Sequence, residues 1–407
     1  MKTLCALVLP LALAAAPLTD EQRLRQVESL SRIHRTVAES HWDRELLDRV
    51  GWAALAEPFR RQVAEAADAR AARAAMREML ERLGQSHFAI FEDDVVPGGT
   101  GGGGVAGFDV RLIEGEVVVT SAEPGSPVRP GWAIRTIAGE PLRIPPDLDE
   151  IWVRRAVLSR LSGQAGETVD VEFEDGSGRT VVLAVRRAQP KGEMASFGYL
   201  PPQPVWVEIR ELEDRIGLMA FNLFLDPVRL MPAFERALVR WRDARGLVVD
   251  LRGNPGGLGA MAMGLAGWFF ERPGISLGTM LTRDGPVYFR INPRRPAFHG
   301  PVAILIDGAT ASTAEIFAAG LRDAGRARLF GAESAGAALP SVIEKLPNGD
   351  RFQYATAGFV RTSGAALEGA GVKPDVPAPW RRADLLAGRD AALEAALHWL
   401  REPSGSR

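Results

Sequence analysis

The chain is poor in the residues that build disulfide-stapled or metal-bound folds. Only one of its 407 residues is cysteine, Cys5, so we expect neither a disulfide framework nor a cysteine nucleophile. The sequence contains no H-E-x-x-H stretch and no cysteine cluster, so we predict neither a metal nor a cofactor. Histidine occurs 5 times, which leaves few candidates for a general base that works near neutral pH.

The chain also lacks a strong excess of charge of either sign. Its 49 Lys and Arg residues nearly balance its 51 Asp and Glu residues, for a net charge of -2. Such a balance gives no reason to expect nucleic acid or an anionic membrane as a partner. Apolar residues make up 46% of the chain, which is enough for two or three domains with real cores.

Long apolar runs are absent except at the N-terminus. Residues 1–16 combine Lys2, a short apolar stretch and a small-residue A-x-A site before Pro17. This pattern predicts a secretory signal peptide, because the stretch is too short to span a bilayer. The alternative is a buried hydrophobic N-terminal helix. We therefore expect a periplasmic or secreted protein with no integral membrane span after signal cleavage.

Periodicity divides the rest of the chain into three parts. Residues 17–95 keep helical spacing and predict an N-terminal helical domain. A glycine-rich stretch at 97–104 formally fits G-x-G-x-x-G but lacks the strand and helix of a phosphate loop, so we interpret it as a flexible joint. Residues 96–190 then show short alternating strands. Residues 200–400 alternate strands with helices, which predicts an α/β domain, and we interpret residues 194–204 as a connector.

One strand–turn–helix pattern dominates the α/β part. Residues 302–306 are a continuous apolar run, which predicts a buried parallel strand, and a helical pattern follows from Ser312. Ser312 therefore lies at the carboxyl end of a strand, where ligands bind in open α/β sheets. Ser312 and Glu315 also fit a capping box. The residues alone leave both roles open for Ser312, helix cap or nucleophile.

The stretch G-A-T-A-S-T-A-E-I-F-A-A-G-L-R-D-A-G-R-A at 308–327 resembles the nucleophile segment of the C-terminal-processing (tail-specific) serine proteases. The resemblance implies that Ser312 attacks the peptide carbonyl and that the N–H of Thr313 helps to hold the oxyanion. The D-L-R-G-N-P-G-G stretch at 250–257 is a second motif of this family. It implies a further oxyanion N–H, for which we favour Gly256 and Gly257. The E-G-A-G-V-K-P-D-V stretch at 368–376 is a third.

The chain departs from the best-known branch of this family at one position. Those enzymes use a Ser–Lys dyad, but the lysine position is Ala337 here. The branch of the tricorn core protease, which also contains retinoid-binding relatives, uses a distant His and a Glu instead. The Ser86-His87 pair matches that His, and Glu368 matches the Glu, with Ser86 as an orienting group. Without the resemblance, His87 is a lone histidine and Glu368 is a loop carboxylate, and both are also compatible with structural roles.

The resemblance as a whole implies an α/β protease core of ClpP/crotonase type, an N-terminal helical domain and an inserted PDZ-like domain. It implies an exported serine endopeptidase that cleaves protein or peptide substrates through an acyl-enzyme, and an oligomer is possible. The alternative is a non-catalytic protein that binds peptides or hydrophobic ligands on the same fold. A separation of His87 and Ser312 beyond about 8 Å would favour the alternative. An ordinary imidazole base predicts a rate that rises through a pKa of about 6.5 to 7.

Overall fold

The structure is a computed structural model that describes residues 17–92, 103–144 and 149–402. The predicted signal peptide and most of the glycine-rich stretch lie outside these ranges. None of the helices within them has the length and the apolar character that a membrane crossing requires.

The N-terminal part is helical, as the periodicity predicts. Its elements are α1 Asp20–Ser40, α2 Arg44–Arg49, α3 Trp52–Ala64, α4 Ala69–Glu81 and the short strand β1 Ala89–Phe91. Helix α1 begins with a capping box between Thr19 and Gln22. Apolar residues at helical spacing, such as Leu30 and Ile33, are fully buried in a core shared by α1, α3 and α4. Burial of these stripes holds the helices together.

The second part is rich in strands. Its elements are β2 Gly103–Gly104, β3 Phe108–Ile113, β4 Glu116–Ala122, β5 Ala133–Ile137, β6 Glu140–Pro141, α5 Glu150–Leu161, β7 Gly163–Gln164, β8 Thr168–Glu174 and β9 Thr180–Arg186. The main sheet has the order β3-β4-β5-β8-β9, and β6 pairs with β5. Helix α5 packs on β3, and Val153 and Val157 enter the core with Val110 and Phe173. The PDZ-like interpretation of this part stays a prediction.

A hairpin follows where the sequence predicted a connector, so that prediction was wrong. Strands β10 Glu193–Phe197 and β11 Leu200–Val205 pair with each other in a two-stranded sheet. The prolines in β11 do not disrupt it because a strand at an edge can leave N–H groups unpaired. Gly198 adopts a positive φ of 54° at the tip, between the exposed rings of Phe197 and Tyr199.

The rest of the chain is the α/β part. Its first elements are β12 Val207–Leu212, β13 Ile216–Phe221, α6 Pro227–Arg240, β14 Gly246–Asp250, α7 Gly259–Ala266, β15 Ser276–Thr282, β16 Gly285–Arg290, β17 Val302–Ile306, α8 Thr313–Asp323 and β18 Arg328–Gly331. Its last elements are β19 Ser341–Lys345, β20 Arg351–Ala355, β21 Gly358–Val360, β22 Val376–Pro377, α9 Arg382–Leu386 and α10 Ala391–Arg401.

The central sheet of this part has six strands in the order β12-β13-β14-β17-β18-β22. All neighbours run parallel except β12 and β13. Strand β17 is buried throughout, as its continuous apolar run predicts. Its side chains alternate between two cores: Ile304 and Ile306 pack with α6, α7 and α8, whereas Ala303 and Leu305 pack with α10. Helices therefore cover both faces of the sheet.

A small sheet connects the N-terminal part to this core. Strand β1 pairs antiparallel with β20, and β20 pairs with β19, so Ala89 lies opposite Gln353. The pairing places the residues that precede β1 beside the α/β part. Strands β20 and β21 follow each other closely in the chain but join different sheets. Helices α9 and α10 are separated by a short loop in which Gly388 has a φ of 70°.

Candidate active site

Three loops meet at the carboxyl edge of the central sheet. They follow β14, β17 and β18 and span residues 251–258, 307–312 and 332–337. The Ser312 N–H donates to the carbonyl of Ala337 at 2.8 Å, and the Ala311 N–H donates to the carbonyl of Asn254 at 2.9 Å. These backbone bonds fix the loops to one another, at the edge where ligands bind in open α/β sheets.

Ser312 occupies a strained turn between β17 and α8. Its φ of 55° and ψ of -123° lie in a region that is unfavourable for a residue with a side chain. Such strain persists only where the surroundings over-determine the backbone, and it concentrates at functional sites. Ser312 is the N-cap residue of α8, as its capping box predicts, but its side-chain oxygen also faces a histidine.

Glu315 is the buried anchor of this turn. One carboxylate oxygen accepts hydrogen bonds from the N–H groups of Ser312 and Ala337, both at 3.0 Å. The other accepts from the Ser334 hydroxyl at 2.5 Å and from the Gly336 N–H at 2.9 Å. Burial raises the pKa of Glu315 to about 7, although these four bonds lower it. The sequence suggested only a capping box here and missed the link to the 332–337 loop.

Four predicted site residues lie in one hydrogen-bonded chain. The Nε2 atom of His87 is 3.2 Å from Oγ of Ser312, and Nδ1 is 2.7 Å from Oγ of Ser86. The Ser86 hydroxyl donates to Oε2 of Glu368 at 2.9 Å. The carboxylate of Glu368 also accepts from the N–H groups of Ser86 at 2.7 Å and of Ala338 at 3.0 Å.

This chain of bonds selects a tautomer. With the Ser86 proton directed to Glu368, the Ser86 oxygen is the acceptor for a proton on Nδ1 of His87. Nε2 is then unprotonated and can accept the hydroxyl proton of Ser312. The sequence interpretation gave Glu368 the task of holding the imidazole. In the structure the carboxylate acts through Ser86, which lies between the two groups.

The electrostatic surroundings of His87 differ from the sequence expectation. Burial, followed by the positive charge of Arg155, lowers the pKa of His87 to about 4. The expected pKa near 6.5 was therefore wrong, because a sequence does not show how far a ring is removed from water. A lowered pKa keeps the imidazole neutral and able to accept a proton over a wider acidic range.

His41 supports the segment that carries the catalytic histidine candidate. It is fully buried, and its ring stacks on Trp42 and on Phe88 at centroid distances of 4.2 and 5.8 Å. Its Nε2 atom lies 2.9 Å from Oε1 of Gln85, two positions before His87. No local sequence signal indicates this contact between His41 and the segment of His87. The φ of His87 is 62°, so the segment is strained there as well.

The three oxyanion candidates differ in their hydrogen bonding. The N–H of Gly256 donates to Oδ1 of Asn254 at 2.9 Å. The prediction of Gly256 as an oxyanion donor was therefore wrong, because its N–H already donates to a side chain. A Cβ at Gly256 would lie 2.7 Å from Cβ of Ser312, which requires glycine for close packing. No acceptor within the described ranges takes the N–H of Gly257 or of Thr313. These two N–H groups remain candidates.

A cavity of about 410 Å³ opens beside Ser312 and His87. Its walls come from every part of the chain: Phe91 from β1, Trp152 and Arg155 from α5, the tip of the β10–β11 hairpin, and residues 341–343 of β19. Ala337 also lines this cavity. The volume is in the range of ligand pockets, about 300–1,000 Å³.

A buried ion-pair cluster attaches the strand-rich part to the loop before Ser312. Nε of Arg111 donates to Oδ2 of Asp307 at 2.6 Å, and Oδ1 of Asp307 accepts from the Gly253 N–H at 2.8 Å. The Arg111 charge holds the pKa of Asp307 below its usual value despite burial. Glu150 joins the cluster at 3.4 Å from Arg111, and burial together with the charge of Asp307 raises the pKa of Glu150. No group of three or more His, Cys, Asp or Glu residues suited to a metal ion occurs in the described parts of the chain.

Comparison with known sequences identifies related proteins. Residues 215–378 match the family described as Peptidase family S41. The carboxy-terminal processing protease CtpA of Bacillus subtilis (strain 168) is 23% identical over 279 residues, 67% of this chain and 55% of that protein. A probable CtpA-like serine protease of Staphylococcus aureus (strain N315) is 24% identical over 279 residues, 66% of this chain and 51% of that protein. The chain thus spans about half the length of these relatives.

Solved structures of low sequence identity share the fold. A photosystem II D1 C-terminal processing protease aligns with a TM-score of 0.61 at 22% identity, covering 95% of this chain and 99% of that one. The tricorn protease aligns with a TM-score of 0.52 at 16% identity, covering 93% of this chain and 37% of that one. Both alignments include the helical N-terminal part and the α/β part. The resemblance to C-terminal-processing proteases is confirmed, and residues 215–378 of the chain match peptidase family S41.

Proposed function

We propose that this protein is an exported serine endopeptidase that hydrolyses peptide bonds in proteins or peptides through an acyl-enzyme. The observation that carries the proposal is the 3.2 Å contact between Nε2 of His87 and Oγ of Ser312, at the end of a bonded chain from Glu368. The match of residues 215–378 to peptidase family S41 and the printed names of the relatives, which include processing proteases, support it. A non-catalytic carrier has no use for this contact.

The proposed reaction begins with proton transfer. Nε2 of His87 takes the hydroxyl proton as Oγ of Ser312 attacks the carbonyl carbon of the substrate. The N–H groups of Thr313 and Gly257 stabilise the oxyanion of the tetrahedral intermediate. His87 returns the proton to the leaving amine, which departs and leaves an acyl-enzyme. Water, deprotonated by His87, then attacks the carbonyl carbon of the acyl-enzyme. The ester bond to Oγ breaks, His87 returns the proton to Ser312, and the acid product is released.

Glu368 and Ser86 are positioning residues in this proposal. The imidazolium that forms at His87 is stabilised by the Ser86 oxygen, which is polarised by the carboxylate of Glu368. Glu315 has a different task, because its four hydrogen bonds keep Ser312 in its strained turn. No lysine is required in this scheme, which is consistent with Ala337 at the lysine position of the Ser–Lys branch.

The finer architecture is part of the same proposal. We assign residues 1–16 to a signal peptide, 17–95 to a helical domain, 96–190 to a PDZ-like domain and 200–400 to a core of ClpP/crotonase type. The sheet of β3, β4, β5, β8 and β9 with α5 packed on it supports the PDZ-like assignment. The small-residue cleavage pattern supports export.

Hydrolysis of an unstructured protein such as casein tests the proposal. We expect the wild type to release peptides, and we expect the Ser312→Ala and His87→Ala proteins to release none above background. An Arg186→Gln protein is a suitable control, since Arg186 is exposed on β9 and does not line the cavity. Equal activity in the wild type and the Ser312→Ala protein would refute the proposal.

A further inference from the structure

His41 lies outside the bonded chain that ends at Ser312, yet its ring contacts the segment that carries His87 on both sides of that residue. We propose that His41 is a positioning residue for the base: it holds residues 85–88 in the strained conformation that directs Nε2 of His87 at Oγ of Ser312. The inference rests on the proposed function and assigns a further support to the same site.

The segment of His87 needs support from side chains. Residues 84–88 join α4 to β1 and belong to neither a helix nor a strand. His87 adopts a φ of 62° there, which is unfavourable for a residue with a β-carbon. A strained conformation persists only where its surroundings hold it. Glu368 holds Ser86 through two hydrogen bonds, and His41 holds the positions that flank the Ser86–His87 pair.

His41 makes one contact before His87 and one after it. Before it, Nε2 of His41 lies 2.9 Å from Oε1 of Gln85. After it, the ring of Phe88 stacks on the His41 ring with an interplanar angle of 14° and a centroid distance of 5.8 Å. The His41 ring itself is fully buried. One buried ring therefore fixes the segment on both sides of the proposed base.

The tautomer of His41 suits the contact with Gln85. Burial lowers the pKa of His41, so the ring is neutral and carries a single proton. Because Oε1 of Gln85 can only accept, that proton is on Nε2. Nδ1 then accepts from the N–H of Asp43 at 3.1 Å, and Asp43 is the N-cap residue of α2. A phenylalanine at this position would keep the stacking but would lose both hydrogen bonds.

The turn that carries His41 is anchored to the α/β part. Nε of Arg283, in the turn between β15 and β16, donates to the carbonyl of His41 at 2.7 Å. Trp42 packs against Gly358 of β21, where a β-carbon would lie 2.8 Å from Nε1 of Trp42. Strands β16, β15 and β21 form one sheet in that order. The turn of His41 is therefore fixed relative to this sheet.

The same sheet packs against the helix that follows Ser312. Helix α8 contacts β15, and a β-carbon at Gly320 of α8 would lie 2.6 Å from the side chain of Leu277 in β15. Contacts thus run from α8 through β15 to the turn of His41, and from there to the base. This path supports the base separately from the hydrogen bonds that Glu368 makes.

Casein hydrolysis by a His41→Phe protein tests the inference. We expect a loss of about 10- to 100-fold, because a displacement of about 1 Å in an active site can cost about 100-fold in rate. His34→Phe is the matched control. His34 also stacks on an aromatic ring, that of Trp52 at 5.3 Å, and its Nε2 lies 2.8 Å from the Trp52 carbonyl oxygen, but this partner is in α3. We expect the control to match the wild type when rates are compared at equal folded fraction.

The pKa of His87 is a readout that a general loss of stability would not change. A displaced ring is more exposed to water, so the pKa of His87, about 4 in the wild type, should rise towards 6.5 in His41→Phe. Arg155, whose charge also lowers this pKa, is present in every variant. NMR titration of the imidazole signals, assigned with His87→Ala, gives the value. His34→Phe should keep the pKa of the wild type.

Gln85→Ala tests the same contact from the side of the loop and leaves the buried ring in place. We expect it to lower hydrolysis and to raise the pKa of His87 as well. The double variant His41→Phe/Gln85→Ala should lose little beyond the larger single loss, because both changes break one hydrogen bond. Circular dichroism and thermal unfolding show which variants are folded, and Gln85→Ala decides the question if His41→Phe does not fold.

The inference is overturned if folded Gln85→Ala and His41→Phe proteins keep both the wild-type rate and the wild-type pKa of His87. It is also overturned if His34→Phe loses as much activity as His41→Phe at equal folded fraction. A wild type that hydrolyses no casein would refute the proposed function. In that case a raised pKa of His87 in His41→Phe would still support the positioning role, and an unchanged pKa would overturn it.

Discussion

His87 and Ser312 are 225 positions apart in the chain, yet Nε2 of the first lies 3.2 Å from Oγ of the second. Both residues have positive φ angles, 62° and 55°. Pairing of β1 with β20 brings one into place, and the turn after β17 presents the other. The contact thus depends on two separate strained segments, each held by its own set of hydrogen bonds.

The chain from Glu368 through Ser86 predicts non-additive effects on catalysis. Ser86→Ala removes the acceptor for Nδ1–H, and Glu368→Gln removes the charge that polarises Ser86, so we expect each to lower kcat by about 100-fold or more. The double variant should lose little beyond the single ones, because both break the same chain. The measurement is kcat for all three, with Ser86→Thr as the conservative variant that keeps the hydroxyl. If the loss of kcat in the double variant equals the product of the two single losses, the two residues act separately.

The lowered pKa of His87 predicts the acidic limb of the pH profile. A base with a pKa of about 4 stays neutral as the pH falls below 6.5, so kcat/KM should remain level and decline only near pH 4. Arg155→Gln removes a positive charge that lowers this pKa, so kcat/KM of the variant should begin to decline at a higher pH. The same shift makes the folded state bind fewer protons than the unfolded state between pH 6.5 and 4, so His87 decreases stability as the pH falls through this range. A decline of wild-type kcat/KM centred near pH 6.5 would contradict the burial of His87.

Ala337→Lys tests whether the site is a damaged Ser–Lys site. We expect activity to fall, because an ammonium group in the cavity would lower the pKa of His87 further and would crowd the substrate. The measurement is casein hydrolysis by the Ala337→Lys protein, alone and with His87→Ala. A marked gain that persists without His87 would identify a Ser–Lys mechanism that lacks only its lysine.

Glu315→Gln is predicted to impair both stability and activity. Both carboxylate oxygens accept from backbone N–H groups, so an amide –NH2 at this position must face at least one donor. We expect a loss of about 2 kcal/mol or more in unfolding free energy, together with a lower kcat from a displaced Ser312. Urea unfolding and casein hydrolysis measure the two effects. Glu333→Gln, at an exposed position of the same loop, is the control and should change neither.

The sequence predicted the elements whose signals are local. The apolar run of β17 and the helix after Ser312 follow from periodicity and composition, and both are confirmed. Ser312, His87 and Glu368 were identified through motifs, because nothing in their spacing indicates that they meet. Gly256 was assigned as a donor because a motif gives no information about which N–H is already bonded to Asn254.

The features that the sequence did not reveal depend on tertiary contacts. The β10–β11 hairpin was hidden by its prolines, which an edge strand tolerates. The lowered pKa of His87 requires knowledge of burial, and the role of Glu315 requires knowledge of the loop that packs against it. Arg155 carries no motif, and only the packing of α5 beside the cavity distinguishes it from Arg154.

The most direct test of the central claim is casein hydrolysis by purified wild-type and Ser312→Ala proteins near neutral pH, with thermal unfolding of both. If Ser312 is the nucleophile, the variant should lose at least about a thousandfold in rate. Its stability should change by only about 1 kcal/mol, because the N-cap position tolerates alanine at that cost. A folded Ser312→Ala protein that hydrolyses casein at the wild-type rate would contradict the account.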